Sequence, residues 1–324
     1  MLLHPDALLI LLVALALDAA IGDPDAIWRR IPHPVAWMGA LIARLDRSWN
    51  RPERAAARRK AAGIAALGVI LATSILIGAL VEAALRALPW PMVSIGLVAS
   101  ILLAQNSLYA HVARVDTAFS AGGITEACRA VSMIVGRDPE SLDEAGICRA
   151  AIETTAENFS DGVVAPAFWF ALFGLPGLAA YKAVNTADSM IGHLSDRHRD
   201  FGWASARCDD LLNLAPARLA GLLIALAAPL SAGSPSKAIG VMIRDARLHR
   251  SPNAGWPEAA MARALGLALA GPRRYGPRLV EDPFLHAEGR REATPEDIQR
   301  ALRIMAGACL GLAGLVAAIA LVLS

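Results

Sequence analysis

Six apolar stretches constrain this chain more than any other feature of its sequence. They are residues 7–21, 61–81, 92–110, 163–181, 211–231 and 304–323. A helix of about 20 apolar residues spans the hydrocarbon core of a bilayer, and most of these stretches approach that length. The 324 residues are 56% hydrophobic and only 19% charged, which excludes an ordinary soluble domain. We therefore expect a single all-α domain over 1–324, a polytopic helical membrane protein with about four to six membrane-embedded segments and cytoplasmic helical loops.

Basic residues orient these segments across the membrane. The loop 22–60 carries nine Lys and Arg residues, and loops of this kind stay on the cytoplasmic side. The other loops expected on that side are 111–162, 182–210 and the arginine-rich 232–303. The pattern predicts a multi-pass protein of the cell (inner) membrane whose site faces the cytoplasm.

Two of the apolar stretches are interrupted by residues that break helices. Gly174 and Pro176 lie in the middle of 163–181, where a simple span would put Glu157 and Lys182 on opposite sides of the membrane. Prolines likewise shorten the purely apolar part of 211–231. Irregular backbone is tolerated at membrane depth where protein buries it or where it lines a cavity. We therefore expect 163–181 to be a re-entrant helical pair and 211–231 to be re-entrant or buried in protein.

Several familiar sites are absent from the sequence. The four cysteines form no CxxC pair, so neither a disulfide framework nor a zinc site is indicated. The chain contains no GxxxxGK[ST] phosphate loop, no GxGxxG fingerprint, no HExxH and no GxSxG. Basic and aromatic residues do not interleave in a way that suggests nucleic acid as a partner.

Polar residues crowd instead into the segment 153–218. If 153–161 is helical, Glu157 lies one turn from both Glu153 and Asp161, so three carboxylates share one face. Like charges at that spacing repel each other unless a cation lies between them. A second helix carries polar residues on one face and on its flank: Lys182, Asn185, Ser189, Asp188 and His193.

These residue types favour chemistry on phosphates. Carboxylates and asparagine suit Mg²⁺, which usually keeps phosphate and water as its other ligands. Lysine and arginine suit the phosphate charge, so the set fits phosphoryl transfer. The same groups would also suit the cation and substrate pathway of a transporter, and composition leaves both readings open. The polar residues cluster at the expected cytoplasmic ends of the spans, which favours an enzyme.

Two proline-flanked motifs lie in the first basic loop. Gly22-Asp23-Pro24 and Pro32-His33-Pro34 restrict the backbone and could hold Asp23 and His33 in fixed positions. Spacing alone favours a simpler interpretation, a turn that ends a helix and a surface histidine.

Five blocks of sequence resemble one family, the membrane-bound adenosylcobinamide-phosphate synthases of cobalamin biosynthesis (CobD/CbiB). The blocks are Gly22-Asp23-Pro24 with Pro32-His33-Pro34, and residues 157–162, 182–193, 209–218 and 251–258. They occur in the order of the family and span almost the whole chain. Residues 111–150 and the last helix match the family only in character.

The resemblance implies an ATP-dependent amide ligase. It would join the free carboxylate of a corrinoid, adenosylcobyric acid, to aminopropanol or its O-phosphate, giving adenosylcobinamide or its phosphate. ATP and Mg²⁺ are the implied cofactors, because a carboxylate must be activated before an amine attacks it. The implied surroundings are the lipid membrane, with a homo-oligomer or a complex with late-pathway enzymes as further partners. A corrinoid transporter or other non-enzymatic corrinoid-binding membrane protein is the alternative.

The resemblance also implies roles for individual residues. The expected metal ligands are Glu153, Glu157, Asp161 and Asp188. The expected catalytic residues are Glu157, Lys182, Asn185, His193 and Glu258. The expected substrate-binding residues are Asp23, His33, Asn158, Ser189, Asp209, Asp210, Asn213, Arg218, Arg244 and Asn253. For some of them a structural role is the alternative: Glu157 could cap a helix, and Lys182 could reach toward the membrane surface.

Overall fold

The computed structural model describes residues 4–133, 142–275 and 278–324, which are mainly helical. The helices are α1 (Pro5–Ile21), α2 (Asp25–Trp28), α3 (Pro34–Trp49), α4 (Ala56–Arg86), α5 (Pro91–Ser100), α6 (Gln105–Ser132), α7 (Glu144–Phe159), α8 (Ala165–Ile191), α9 (Trp203–Leu212), α10 (Leu214–Ala227), α11 (Pro235–Asp245), α12 (Gly255–Leu265) and α13 (Pro295–Leu323). A π-helical turn, Ser160–Val164, joins α7 to α8, and 3₁₀ turns follow α10 (Ala228–Ser231) and α11 (Ala246–Leu248). Short antiparallel strands pair β1 (Leu269–Ala270) with β4 (Phe284–Leu285) and β2 (Arg273–Tyr275) with β3 (Arg278–Val280).

The apolar stretches are helical, as the sequence predicted. Within the described ranges, five helical segments are long and apolar enough to cross a membrane. They are Ala56–Arg86, Pro91–Ser132, Glu144–Ile191, Leu214–Ser231 and Pro295–Leu323. The chain is therefore a polytopic helical membrane protein, and the predicted fold class is confirmed.

The stretch 92–110, expected as one helix, is divided in the structure. Helix α5 ends at Ser100 and α6 begins at Gln105. No glycine or proline marks this break. The carbonyl of Ile101 lies 3.0 Å from Nε2 of His33, so it bonds a side chain where a continuous helix would use the amide four residues later.

The chain forms two compact units, and each is described by itself. The first unit comprises Met1–Ala104, Ala165–Asn213 and Val316–Ser324. The second unit comprises Gln105–Val164 and Leu214–Leu315.

Helices α3 and α4 of the first unit form an antiparallel hairpin. Asn50, after the end of α3, bonds Arg59 near the start of α4. Further along, the apolar face of α3 packs against α4 and α8 in a core that consists of Ile42, Leu45, Ala66, Ile70, Ala183, Ala187, Ile191 and Phe201. The sequence predicted a loop over 22–60. In the structure this range contains α3, which packs along the membrane-spanning helix α4.

Helix α8 folds back on itself at Gly174, where φ is +65°. Residues eight apart in a straight helix are separated by about 12 Å. A Cβ built on Gly177 would nevertheless lie only 2.5 Å from the carbonyl oxygen of Trp169, eight residues earlier. The two halves of α8 therefore form a tight helical hairpin, the geometry expected of a re-entrant pair.

The second half of α8 returns along α4 in the antiparallel direction. Gly78 of α4 packs against Pro176 near the turn, whereas Gly63 packs against Phe201, beyond the end of α8. At the turn, the carboxylate of Glu82 accepts the amide N–H of Leu175 at 2.9 Å. This amide begins a helical half and lacks an intrahelical acceptor, so Glu82 satisfies it and complements the helix dipole.

Charged side chains join the basic end of the α3–α4 hairpin to the loop after α8. The carboxylate of Asp46 accepts from Arg197 (2.6 Å) and from Asn50 (2.8 Å). The guanidinium of Arg59 donates to Asn50 at 2.9 Å and to the carbonyl of Arg197. Burial alone would raise the pKa of Asp46, but these hydrogen bonds and the charge of Arg197 hold it below its usual value.

In the second unit, α7 and its π-helical turn pack against neighbouring helices. The turn Ser160–Val164 contacts α10, and α7 contacts α6 and α12. A π turn places one more residue in a turn than an α-helix does, so it changes which side chains share a face. The alignment of Glu157 with Asp161, expected for a continuous α-helix, is changed in this way.

Candidate functional site

A buried polar network links α8 to α9 in the first unit. The hydroxyl of Tyr181 donates to Oδ1 of Asn213 at 3.0 Å, and Nδ2 of Asn213 donates to Oδ2 of Asp209 at 3.0 Å. The other oxygen of Asp209 accepts from Asn185 at 3.3 Å. We call these four residues, Tyr181, Asn185, Asp209 and Asn213, the α8–α9 cluster. It unites three of the expected site residues with a tyrosine that was not expected.

The α8–α9 cluster lies near the middle of α4. Helix α4 has 31 residues, and Gly78, next to Pro176, is eight residues from its end. Lys182 and Asn185 follow Pro176 by six and nine residues, which places them roughly 9–14 Å further along α4. The sequence placed these groups at the cytoplasmic end of a span, and that placement stays a prediction. In the structure, the turn at Gly174 leads the second half of α8 back along α4.

The environment of Asp209 favours its neutral form. Burial raises the pKa of its carboxyl, and the charge of Asp188 raises it further, to about 7. Hydrogen bonds from Asn185 and Asn213 oppose this rise by stabilising the carboxylate. A carboxyl with such a pKa changes its protonation state near neutral pH, which suits acid–base chemistry.

The other expected residues of α8 and α9 have varied surroundings. Lys182 and Asp188 are half-buried, and His193, exposed after α8 ends, lies within electrostatic range of Asp188. The exposed Ser189 donates to the carbonyl of Asn185 within its own helix. Asp210 pairs with Arg207 at 2.9 Å; burial raises its pKa and Arg207 opposes that rise.

The proline-flanked motifs place Asp23 and His33 beside each other in the first unit. Nδ1 of His33 accepts the amide N–H of Val35 at 3.2 Å and so caps α3. Nε2 of His33 therefore carries the proton, which it donates to Ile101; it also lies 3.7 Å from Asp23. The helix-terminating turn expected here is present, since Gly22 ends α1 with a positive φ. His33 is a half-buried helix cap rather than a surface residue.

The three carboxylates of the second unit have different surroundings. Glu153 is 5% exposed, and its Oε1 accepts the amide N–H of Ala270 at 2.8 Å, which favours a structural role. Glu157 and its neighbour Asn158 are exposed, and Asp161 is half-buried on the π-helical turn. Across the described ranges, no group of three or more His, Cys, Asp or Glu side chains could hold a metal ion.

An arginine site in the second unit brings α10 to the loop before α12. The guanidinium of Arg218 donates to Oδ1 of Asn253 at 3.1 Å and lies 4.4 Å from the ring centroid of Trp256. Arg247 is near enough to repel Arg218 electrostatically. We call Arg218, Arg247, Asn253 and Trp256 the arginine site. Two cations side by side attract an anion such as phosphate.

Arg244, one of the expected substrate-binding residues, is already paired with carboxylates. It donates to Asp245 at 2.6 Å and to Glu288 at 2.8 Å. Sequence reasoning missed Arg247, which lies three residues away. The only signal available was that both arginines precede the Ser251–Glu258 block.

Glu258 is buried and lies near His249. Only 2% of Glu258 is exposed, and its Oε1 is 3.6 Å from Nε2 of His249. Nδ1 of His249 accepts the amide N–H of Ser251 at 3.0 Å, so the ring proton sits on Nε2 and points toward the carboxylate. The hydroxyl of Ser251 in turn accepts the amide of Asn253, which fixes the loop that carries it.

Comparison with known proteins identifies the family. The family model described as CobD/Cbib protein matches residues 11–305. "Cobalamin biosynthesis protein CobD" of a Sinorhizobium species is 51% identical over 318 residues, which cover 97% of this chain and 98% of the relative. The chain belongs to the CobD/Cbib family.

Other relatives within the CobD/Cbib family agree. Proteins of the same name from Rhodobacter capsulatus and Brucella anthropi are 51% and 50% identical over 312 and 322 residues, covering 95% and 97% of this chain. The resemblance drawn from the five sequence blocks is confirmed, and membership gives the chain a role in cobalamin biosynthesis. No solved structure matches the chain.

Proposed function

We propose that this CobD/Cbib protein is an ATP-dependent amide ligase. It would join the free carboxylate of adenosylcobyric acid to aminopropanol or aminopropanol O-phosphate, giving adenosylcobinamide or its phosphate. Family membership supports the pathway. The observation that carries the proposal is the α8–α9 cluster, which joins Tyr181 and Asn185 of a membrane-spanning segment to the polar residues of α9 and includes the neighbours of Lys182 in α8.

Several carboxylates of this chain are suitable ligands for the Mg²⁺ of Mg-ATP. Mg²⁺ is usually held by one or two carboxylates together with substrate phosphates and water. The exposed Glu157 and half-buried Asp161 of the second unit would supply such ligands, and Asp188 is the candidate in the first unit. When bound, Mg-ATP supplies the phosphoryl group that activates the substrate carboxylate.

The chain's own residues would orient substrates and move a proton. Lys182 and the arginine site would neutralise anionic groups, which is most of what phosphoryl transfer requires of a protein. The amides of Asn185 and Asn253 would orient the carboxylate or phosphate oxygens. Asp209 would accept the proton that the substrate ammonium must lose before its neutral amine attacks, because the pKa of Asp209, about 7, is near the working pH. His193 and Glu258 are the other candidates for this base.

Ligation by the detergent-purified protein tests the proposal directly. Adenosylcobyric acid, Mg-ATP and each amine would be supplied, and mass spectrometry would measure the corrinoid product and ADP. We expect amide and ADP in equal amounts. Lys182→Ala and Glu157→Gln should each lose most of this activity, whereas Lys237→Ala, an exposed lysine on α11, should not. Near-normal ligation by both folded variants would contradict the assigned roles.

A corrinoid carrier or transporter is the second candidate. The position of the α8–α9 cluster near the middle of α4 favours it, because polar residues at membrane depth often mark a transport pathway. The same experiment separates the two functions. Corrinoid binding without ATP turnover, in folded protein offered both amines, would support the carrier and contradict the ligase.

A further inference from the structure

An apolar cavity of about 390 Å³ lies within the first unit. Its walls come from α3, α4, α5 and the second half of α8. In the structure as described, no member of the α8–α9 cluster is part of its lining. Pockets of about 300–1,000 Å³ hold small-molecule ligands, so this volume admits a ligand. Thr73 and Ser74 contribute hydroxyl groups to its wall, and the other lining side chains are aliphatic or belong to Trp37 and Met38.

The cavity opens on the surface of helices that face the bilayer. Two of its lining residues, Trp37 of α3 and Ile77 of α4, are 57% and 56% exposed. Ile31, six residues before Trp37 in the chain, is also exposed. Because α4 is a membrane-spanning segment, the exposed apolar surface around the opening lies against lipid tails.

Basic residues precede the first lining residue of the cavity in the chain. Pro34 and Ile101 line it, and His33, which precedes Pro34, bonds the Ile101 carbonyl. The exposed Arg30 is four residues before Pro34, so the chain keeps it within about 14 Å. Arg29 is its neighbour. An apolar cavity with basic residues nearby is complementary in charge and polarity to an anionic amphiphile.

We propose that this cavity binds one acyl chain of an anionic phospholipid, with the lipid phosphate held near Arg30. The acyl chain would fill the cavity and cover its apolar wall, and the lipid headgroup would remain at the membrane surface. The position of Gly78 in the wall is consistent, because it allows the Leu175–Pro176 turn to approach α4 closely enough to close one side. This inference does not rest on the ligase activity.

Photo-crosslinking in vesicles tests the proposal. The full-length protein would be reconstituted in phosphatidylcholine vesicles that contain phosphatidylglycerol with a diazirine at the end of one acyl chain. Labelled peptides would be mapped by mass spectrometry. We expect label on the lining segments of α3, α4 and α5. A parallel sample with diazirine-labelled phosphatidylcholine should label the same segments more weakly.

A matched pair of variants places the acyl chain. Thr73→Phe fills the cavity from α4, whereas Ala72→Phe adds the same ring at an exposed neighbouring position outside the lining. Labelling of the cavity should be lost in the first variant and retained in the second. Val98→Trp, which fills the cavity from α5, replaces Thr73→Phe if that variant does not fold. Unchanged labelling in a folded cavity-filling variant overturns the proposal.

A second pair places the headgroup. Arg30→Gln should abolish the preference for phosphatidylglycerol. Arg54→Gln is the control, because Arg54 is also exposed but lies in the linker before α4, and it should keep the preference. Equal labelling by the two lipids in the unaltered protein overturns the headgroup assignment. Excess inorganic phosphate should leave the label in place, because the acyl chain anchors the lipid; displacement by phosphate alone would show that free phosphate, not lipid, is the ligand.

Discussion

Arg244 and Arg247 show how two identical residues three positions apart acquire different roles. Arg244 is held by Asp245 and Glu288, whereas Arg247 is exposed and lies near Arg218. Among the described residues, none forms an ion pair or hydrogen bond with Arg247. An arginine already paired with two carboxylates has little capacity for phosphate, so the second arginine of the site is Arg247.

The two arginines should respond differently to substitution. Arg247→Gln should raise the KM of the phosphate-bearing substrate by roughly tenfold, because a hydrogen bond to a charged group contributes about 1.5 kcal/mol or more. Arg244→Gln should leave KM unchanged and lower the free energy of unfolding by roughly 1 kcal/mol, since Arg244 and its partner Glu288 are half exposed and water screens their ion pair. Steady-state kinetics and thermal unfolding of both variants measure this. Equal effects on KM would contradict the assignment.

Asp46 should make the first unit sensitive to acid. Its folded-state pKa lies below the ordinary value of 3.8, so the stability it contributes is present above that value and is lost as the pH falls through the lowered pKa. Asp46→Asn should therefore be less stable than the unaltered protein by about 1–3 kcal/mol near pH 7, with the difference shrinking toward pH 3. Tryptophan fluorescence during heating would show it. A difference that stays constant over this range would contradict the argument.

At the scale of residues, the sequence identified which residues belong to a polar site better than it identified which side chains contact each other. Asn185, Asp209 and Asn213 were expected in one site, and the structure brings them together. Tyr181 was not expected, because its partner Asn213 is 32 residues away and an apolar neighbourhood gives no sign of a buried hydroxyl contact. Arg244 was expected as a substrate-binding residue, but its pairing with Glu288 was not, because Glu288 is 44 residues away.

The hairpin within α8 is the element on which the first unit's polar cluster depends. Gly177 permits the close approach of the two halves, since a Cβ there would lie 2.5 Å from the Trp169 carbonyl and 2.6 Å from the Phe173 side chain. Backbone cannot move away as a flexible side chain can. A larger residue at this position must separate the halves and shift Tyr181 and Asn185.

Gly177→Ala should destabilise the protein, by about 1–3 kcal/mol as for overpacking in a core. Gly68→Ala is the control, because nothing lies within 4 Å of a Cβ at Gly68 in α4. There alanine should be neutral or stabilise by up to about 1 kcal/mol through its helix propensity. Thermal unfolding in detergent compares the two variants. Equal stability of the two would show that the halves of α8 are not packed this closely.

Sequence predicted the break in α8 but not the one between α5 and α6. Gly174 has a positive φ that favours glycine, and Pro176 follows it, so composition marks the turn. Residues 101–104 contain neither glycine nor proline, and their break coincides with the contact of Ile101 with His33. A contact between residues 68 apart leaves no local pattern in the sequence.

For the whole molecule, the antiparallel packing in the first unit predicts which segments share a membrane side. Asn50 and Arg59 bond the backbone of Arg197, so the α3–α4 linker and the loop after α8 lie at the same end of α4. Basic residues crowd around this linker, so we expect this end of α4 to lie in the cytoplasm. The other end of α4 is followed by a turn that contains Leu88, and it should face outward.

Single cysteines report this arrangement. In a background whose four native cysteines are replaced by alanine, Glu53→Cys and Leu194→Cys should react with a membrane-impermeant maleimide only after the cytoplasmic side is opened. Leu88→Cys should react in intact cells. All three side chains are exposed, so access depends on the side of the membrane rather than on burial. If Glu53→Cys and Leu194→Cys reacted from opposite sides, the hairpin of α8 would not exist in the membrane, because only a chain that turns at Gly174 and returns along α4 brings both positions to one face.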